Sequence, residues 1–149
     1  MVDDEFEGFV CTVEPQLRRA LAMRLTPDQV SDALAEAFAY AWQHWRRVQR
    51  IENPAGYLFR VAQSKSRRRK QGFLIWPGES ELPGFEPGLL TALQELSDAQ
   101  RTAVWLVHGC GWTYAETATA MRVSSSTVGT HVARGLTQLR ERLGAPVDD

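Results

Sequence analysis

The chain has 149 residues, of which 44% are hydrophobic and 23% charged, as expected for a folded protein with one ordinary domain or two small ones. No apolar run is long enough to span a bilayer, the acidic start MVDDEFEGF is unlike a secretion signal, and Cys11 and Cys110 lie far apart without metal-ligand spacing. These features argue against a membrane protein, a secreted disulfide scaffold and a zinc module. We therefore expect a cytoplasmic protein with reduced cysteines.

The first half of the chain reads as three helices. Apolar residues recur at helical spacing from about residue 8 to residue 24, which predicts the first. Residues 26–29 (TPDQ) combine a capping hydroxyl, a proline at the first helical position and a glutamine at the third, which predicts a second helix from this point. Its wide apolar stripe includes Trp42, which we expect in the core, and reaches Trp45, for which core and ligand contact are both open. The pair NP at residues 53–54 then opens a third helix.

Charge is segregated along the chain. Residues 46–70 contain nine basic side chains against Glu52 alone, whereas residues 1–45 and residues 71–149 are both acidic overall. A cluster of this kind is typical of a site for a polyanion such as nucleic acid. The alternative is a solvated helix end or a flexible basic tail, because blocks of like charge often stay unfolded.

A linker and a second helical unit follow. Residues 71–88 contain three prolines and four glycines without a periodic stripe, which predicts a linker. A second helical unit begins near Leu89, and residues 97–100 (SDAQ) supply another helix start. No β-alternation is found, so we predict an all-α protein with two small helical domains, at residues 8–70 and 89–143.

Residues 112–143 have the pattern of a helix-turn-helix. Thr113 and Glu116 have capping-box spacing for a short helix, and Ser124 can cap a longer one that follows the turn. The apolar face of this second helix suits a core. Its polar face suits the base edges and phosphates of a major groove. That polar face consists of Ser125, Ser126, Thr127, Thr130, His131 and Arg134. The alternative is an ordinary amphipathic helix with a solvated side.

No catalytic site is apparent in the sequence. The chain has three histidines without carboxylate or cysteine partners at ligand spacing, and it has no phosphate loop, nucleophile elbow or zinc signature. We therefore expect neither an enzyme nor a cofactor or metal site. Asp28, Asp32 and Glu36 share one face of the second helix. They could bind a cation, form a solvated ridge, or dock a basic partner.

Two separate pieces of the chain resemble one family in the same order. Residues 30–62 resemble the second conserved region of bacterial RNA polymerase sigma factors of the extracytoplasmic-function type, and residues 92–142 resemble the fourth region. The helix-turn-helix alone also resembles that of LuxR-type response regulators. The resemblance to sigma factors implies a transcription initiation factor that binds core RNA polymerase and promoter DNA, with an anti-sigma factor as a possible further partner.

The resemblance also implies roles for individual residues. In the family, the second-region helix holds the β′ coiled coil of the polymerase, and the matching residues here are Asp32, Glu36 and Phe38. The −10 element of the promoter is captured and melted by the third helix and the loop before it. In this chain, the residues in or next to this loop are Trp45, Arg46, Arg50, Asn53 and Tyr57. Arg60, Lys65 and Arg67 are expected to hold phosphates. The polar face of the helix-turn-helix would read the −35 element, and its remaining surface would meet the β flap.

Two other functions remain open. One is a helix-turn-helix regulator that binds duplex DNA without engaging the polymerase, and the other is an interaction module whose basic segment binds an acidic partner. The acidic face with Asp32 and Glu36 favours the sigma factor over a plain repressor, which does not need such a face. Gly129 and Gly135 in the second helix of the motif either loosen that helix or allow a close backbone approach.

Overall fold

The computed structural model describes residues 2–66 and 88–144, and every regular element within these ranges is helical. This confirms the predicted all-α class. The helices of the first half are α1 (Val2–Leu21), α2 (Pro27–Gln43), α3 (Trp45–Val48) and α4 (Pro54–Ser66). Those of the second half are α5 (Leu89–Gln94), α6 (Asp98–Val104), α7 (Tyr114–Met121) and α8 (Ser125–Leu143), and a π-helical turn, Trp105–Gly109, continues α6. In these two ranges, no helix has both the length and the apolar character of a membrane span.

The helix starts follow the capping signals of the sequence. The Thr26 hydroxyl accepts a hydrogen bond from the Gln29 amide at 3.3 Å, and the Gln29 side chain accepts one from the Thr26 amide at 3.0 Å. Helix α1 begins six residues earlier than the predicted residue 8, because its first turn carries Asp3 and other acidic residues, which stabilise a helix N-terminus. It ends at Leu21, before the predicted residue 24, and the Leu25 amide still bonds to the Leu21 carbonyl at 3.1 Å in the turn that follows.

Trp42 corrects one prediction. We expected it in the core, but it is 48% exposed, with its ring edge-on to Phe6 at 5.0 Å. The buried line of α2 passes through Ala37 and Ala41 instead, and Trp42 lies about 100° around the helix from Ala41. Trp45, which the sequence left open, is half-buried and packs against the aromatic rings of α1.

The second half packs around α6 and α8. Glycine at position 135 is required here, because a Cβ atom would lie 2.7 Å from the Cγ2 atom of Val104. Gly135 therefore allows a close approach between the two helices, which was one of the two alternatives for this residue. The guanidinium of Arg101 is buried and donates to the Leu96 carbonyl at 3.0 Å, so that it ties α6 to the end of α5.

The two halves share a hydrophobic cluster. The ring of Phe59 in α4 lies edge-on to the ring of Trp112 at 5.8 Å. The indole nitrogen of Trp105 donates to the Arg19 carbonyl of α1 at 3.3 Å. The buried residues of this cluster come mostly from the first half, and those from the second half are Trp105, Leu106, Trp112 and Ala120. The two halves are thus in direct contact. The predicted linker lies outside the described residues except for Gly88, which precedes α5 with φ +87°.

Helices α4 and α7 approach each other backbone to backbone at Gly56. A Cβ atom at this position would lie 2.6 Å from the Glu116 carbonyl oxygen and 3.1 Å from the Cβ atom of Thr119. Next to it, the side-chain amide of Asn53 donates a hydrogen bond to the Thr119 hydroxyl at 3.3 Å. Only glycine fits at position 56 without a displacement of one of the helices.

Candidate nucleic-acid interface

Helices α7 and α8 form the predicted helix-turn-helix. The capping box is complete, since Thr113 and Glu116 each accept a hydrogen bond from the other's backbone amide at 3.0 Å. The chain then turns at Arg122, which has φ 61° and bonds its amide to the Ala118 carbonyl. The Ser124 hydroxyl accepts a hydrogen bond from the Thr127 amide at 3.1 Å and starts α8. A left-handed residue at the end of one helix and a capped start of the next fix the angle between them.

The predicted polar face of α8 is accessible over most of its length. Ser125, Ser126, Thr130 and Arg134 are exposed. The other two residues, Thr127 and His131, are half-buried.

Local contacts occupy part of this face. The Thr127 hydroxyl lies 2.9 Å from that of Ser124, and the Thr130 hydroxyl donates to the Ser126 carbonyl at 3.2 Å. Arg134 is the arginine of this face, and its positive charge can contact a phosphate or a guanine.

Tyr114 is a residue of this face that sequence reasoning missed. It is 43% exposed, and a Cβ atom at Gly129 would lie 3.4 Å from its Cε2 atom. The phenol ring thus lies beside the start of α8, at a distance that a Cβ atom at position 129 would reach as an ordinary van der Waals contact. In the sequence, Tyr114 directly follows the capping Thr113. This position alone does not indicate a contact across the turn.

The basic loop before α4 has a mixed character. Arg46 and Arg50 are exposed, as a contact to DNA requires. Asn53 is half-buried and donates to Thr119 of the helix-turn-helix. The structure thus brings a residue expected to touch the −10 element against α7. Of the residues expected to hold phosphates, the side chain of Lys65 and all of Arg67 lie outside the described residues.

Tyr57, also expected to contact DNA, belongs to a cluster of three helices. Its hydroxyl accepts a hydrogen bond from Arg47 Nη2 at 2.6 Å and lies 2.8 Å from the Tyr40 hydroxyl. The same Arg47 nitrogen donates to the Tyr40 hydroxyl at 2.8 Å. The guanidinium carbons of Arg47 and Arg60 lie 5.9 and 5.8 Å from the Tyr57 ring centroid. We call these four residues, Tyr40, Arg47, Tyr57 and Arg60, the tyrosine–arginine cluster.

The pKa values of the two phenols shift in opposite directions. The hydrogen bond to Tyr57, followed by burial, raises the pKa of Tyr40. Burial raises the pKa of Tyr57 too, but the bonds from Tyr40 and Arg47 and the charges of Arg47 and Arg60 outweigh it and lower that pKa overall. The two hydroxyls share one hydrogen bond, in which either oxygen can be the donor.

The predicted polymerase contacts lie on α2. Asp32 and Glu36 are exposed and one helical turn apart, so both carboxylates are on the same side. Phe38 is half-buried, and its ring lies 6.4 Å from that of Phe9 and perpendicular to it. Much of the Phe38 side chain therefore packs on α1. Within the described residues, no group of three or more histidine, cysteine or acidic side chains is arranged for a metal ion.

The second half of the chain matches a described family. Residues 88–139 match the family described as "Sigma-70, region 4". Over 155 aligned positions, the chain is 32% identical to the RNA polymerase sigma-E factor of Streptomyces coelicolor, with 95% of this chain and 87% of that protein covered. The chain belongs to the RNA polymerase sigma factors of the extracytoplasmic-function type. This confirms the resemblance stated from the sequence, and it agrees with the expectation that the chain is not an enzyme, since sigma factors are not enzymes.

Two solved structures share the fold of this sigma factor. One is the sigma factor RpoE of Bartonella quintana in complex with the anti-sigma factor NepR, with a TM-score of 0.72, 22% identity, and coverage of 95% of this chain and 98% of that chain. The other is CnrH in complex with the cytosolic domain of CnrY, with a TM-score of 0.73, 20% identity, and coverage of 96% and 90%. At these identities the similarity concerns the fold.

Proposed function

We propose that this sigma factor recruits core RNA polymerase through the acidic face of α2 and directs it to promoters that α8 and the basic loop before α4 recognise. The observation that carries the proposal is the complete helix-turn-helix in a chain related to a sigma factor over 95% of its length. In this proposal the chain acts in the cytoplasm, and residues 8–70 and 89–143 form two domains joined by residues 71–88. One solved relative is bound to an anti-sigma factor, which supports an anti-sigma partner here too.

In the proposed mechanism, Asp32 and Glu36 contact the β′ coiled coil, with Phe38 beside them, and the surface of the second half outside α8's polar face meets the β flap. The exposed residues of α8 enter the major groove of the −35 element, where Arg134 contacts a phosphate or a guanine. Arg46 and Arg50 attract the −10 region. For Asn53 to turn its side-chain nitrogen toward a base, it has to release the Thr119 hydroxyl.

The first experiment asks whether the full chain co-elutes with core RNA polymerase and directs run-off transcription from the DNA upstream of its own coding sequence. Charge reversal by Asp32→Lys with Glu36→Lys should abolish co-elution. The matched control is Glu7→Lys, which reverses an exposed charge on α1. Co-elution that survives the double reversal would remove the proposed polymerase contact.

A second pair of variants tests the DNA face. Arg134→Ala should weaken promoter-dependent transcription, because it removes the main charge on the polar face of α8. Arg140→Ala removes an exposed charge from the same helix but from a different side, and it should have a smaller effect. Equal transcription by both variants would mean that α8 presents another face to DNA.

The second candidate is a regulator that binds duplex DNA without the polymerase. The half-buried packing of Phe38 favours it to a limited degree, because this packing reduces the apolar surface offered to a β′ coiled coil. A chain that fails to bind core polymerase, yet shifts duplex DNA, would establish this alternative.

A further inference from the structure

Two guanidinium groups lie close to the ring of Tyr57. The guanidinium carbons of Arg47 and Arg60 both lie within 6 Å of the Tyr57 ring centroid, in the range of a cation–π contact. Neither of these cations is held by a carboxylate in the ion pairs of the described residues. Tyr57 therefore gathers positive charge at this surface.

Arg47 is arranged to offer donors outward. Its Nη2 atom, which carries two of the five N–H groups, donates to the hydroxyls of Tyr40 and Tyr57 at 2.8 and 2.6 Å. The remaining three N–H groups, on Nη1 and Nε, lie outside this pair of bonds, and the residue is exposed. A guanidinium fixed along one edge presents its other edge in a constant direction, which suits the oxygens of a phosphate.

The surroundings favour an anionic chain as the ligand. Arg46 and Arg50 are exposed on the same short helix and the loop after it, and Glu52 is the one acidic residue between positions 46 and 66. Several cations along a surface suit the repeated charges of a nucleic-acid backbone better than a single small anion.

We propose that Arg47 and Arg60, gathered around the Tyr57 ring, form a clamp for backbone phosphates of single-stranded DNA, and that Tyr40 is the residue that positions Arg47. The inference rests on the proposed sigma function, and it adds Arg47 and Tyr40 to the residues that act on the promoter. It also gives Tyr57 a specific role, the support of two guanidinium groups.

Salt dependence tests the clamp directly. The full chain is titrated with fluorescent dT15 at several NaCl concentrations, starting at low salt, and binding is followed by anisotropy. Each phosphate contact that is lost lowers the slope of log K against log [NaCl] by about 0.7 for single-stranded DNA. Arg47→Gln should therefore lower the slope by about 0.7. The matched control Arg18→Gln, which removes an exposed arginine from α1, should leave it unchanged.

Two conservative variants separate positioning from stacking. Tyr40→Phe keeps the ring and removes a hydroxyl that holds Arg47. It should lower the affinity about threefold with an unchanged slope, because a cation that is no longer fixed must be ordered on binding. If Tyr57 supports the guanidinium groups, Tyr57→Phe should also lower the affinity about threefold with an unchanged slope. If Tyr57 is a stacking platform, this variant instead keeps full affinity, since the ring remains.

The clamp is overturned if the wild-type chain does not bind dT15 at low salt, or if Arg47→Gln keeps the wild-type slope. Circular dichroism of each variant checks that its helices are intact. Failure of the sigma function is recognised separately, by loss of co-elution with core polymerase, which this titration does not involve. A chain that binds core polymerase but shows no change for Arg47→Gln refutes the clamp alone.

Discussion

Gly56→Ala is the most direct test of the contact between the two halves. The substitution adds one methyl group to α4 where this helix meets α7. The new Cβ atom would lie 2.6 Å from the Glu116 carbonyl oxygen and 3.2 Å from the Ala120 amide nitrogen. Both neighbours are backbone atoms of a helix, which cannot rotate away as a side-chain end can. The helices must therefore separate by several tenths of an ångström along their contact.

The expected magnitude combines two opposite effects. Overpacking of a close contact costs about 1–3 kcal/mol, whereas alanine in place of glycine inside a helix stabilises by about 0.5–1 kcal/mol. We therefore expect a net loss of up to about 2.5 kcal/mol in the free energy of unfolding. For a chain of this size, 1 kcal/mol corresponds to about 3–4 °C, so Tm should fall by up to about 10 °C.

The assay is thermal unfolding followed by circular dichroism, with Gly8→Ala as the matched control. Gly8 also lies inside a helix, but beyond the backbone of that helix a Cβ atom there would have no atom of the described residues within 4 Å. The control should therefore raise Tm by the helix propensity alone. If Gly56→Ala raises Tm as much as Gly8→Ala does, α4 and α7 are not in contact at this spacing in solution, and the reasoning is refuted.

Three further predictions concern buried and charged groups. Burial raises the pKa of the Cys110 thiol to about 12, so in the folded protein Cys110 should react with iodoacetamide far more slowly than exposed Cys11. Urea should make the two rates similar, and similar rates without urea would contradict the prediction. The raised pKa means that the folded state keeps this proton to a higher pH than the unfolded state does. The free energy of unfolding should therefore fall above about pH 9 by up to about 1.4 kcal/mol per pH unit, and Cys110→Ala should remove this fall in urea titrations. Burial raises the pKa of Asp98, but Arg24 and Arg101 outweigh it and lower this pKa overall, so the stabilisation by Asp98 is present above about pH 4 and lost as the pH falls further. Since Asp98 is largely exposed, Asp98→Asn should cost less than about 1 kcal/mol at pH 7, and a larger loss would show a drier ion pair. Arg101→Met should cost about 1–3 kcal/mol in chemical unfolding because the Leu96 carbonyl loses its donor, and an unchanged midpoint would mean that water replaces it.

Local signals in the sequence predicted most helix starts correctly. The capping residues Thr26, Ser97, Thr113 and Ser124 each accept a hydrogen bond from the amide three residues later. Such bonds depend on neighbours in the chain and can be read from spacing alone. The exposed part of the α8 face was predictable for the same reason, because the helical period separates it from the buried Val128 side.

Contacts between distant segments were not predictable in this way. Trp42 lies on the wide apolar stripe of α2, yet the part of the stripe that is buried is the narrower line through Ala37 and Ala41. The sequence of α2 does not show how much of its stripe the neighbouring helices cover. Arg47 was one of nine basic residues in its segment. What distinguishes Arg47 is the pair of phenols around it, Tyr40 and Tyr57, which come from two other helices.

Asn53 shows how the packing of the two halves bears on function. Its amide donates to Thr119 at 3.3 Å, which is long for a hydrogen bond, so this bond contributes little to holding α4 against α7. The larger contribution comes from apolar contacts such as that of Phe59 with Trp112. Release of the Asn53 side chain toward a base therefore costs the exchange of one long hydrogen bond, while the apolar interface can stay closed. The contact between the two halves also leaves Arg46, Arg47 and Arg50 exposed, so it does not prevent DNA from reaching these cations.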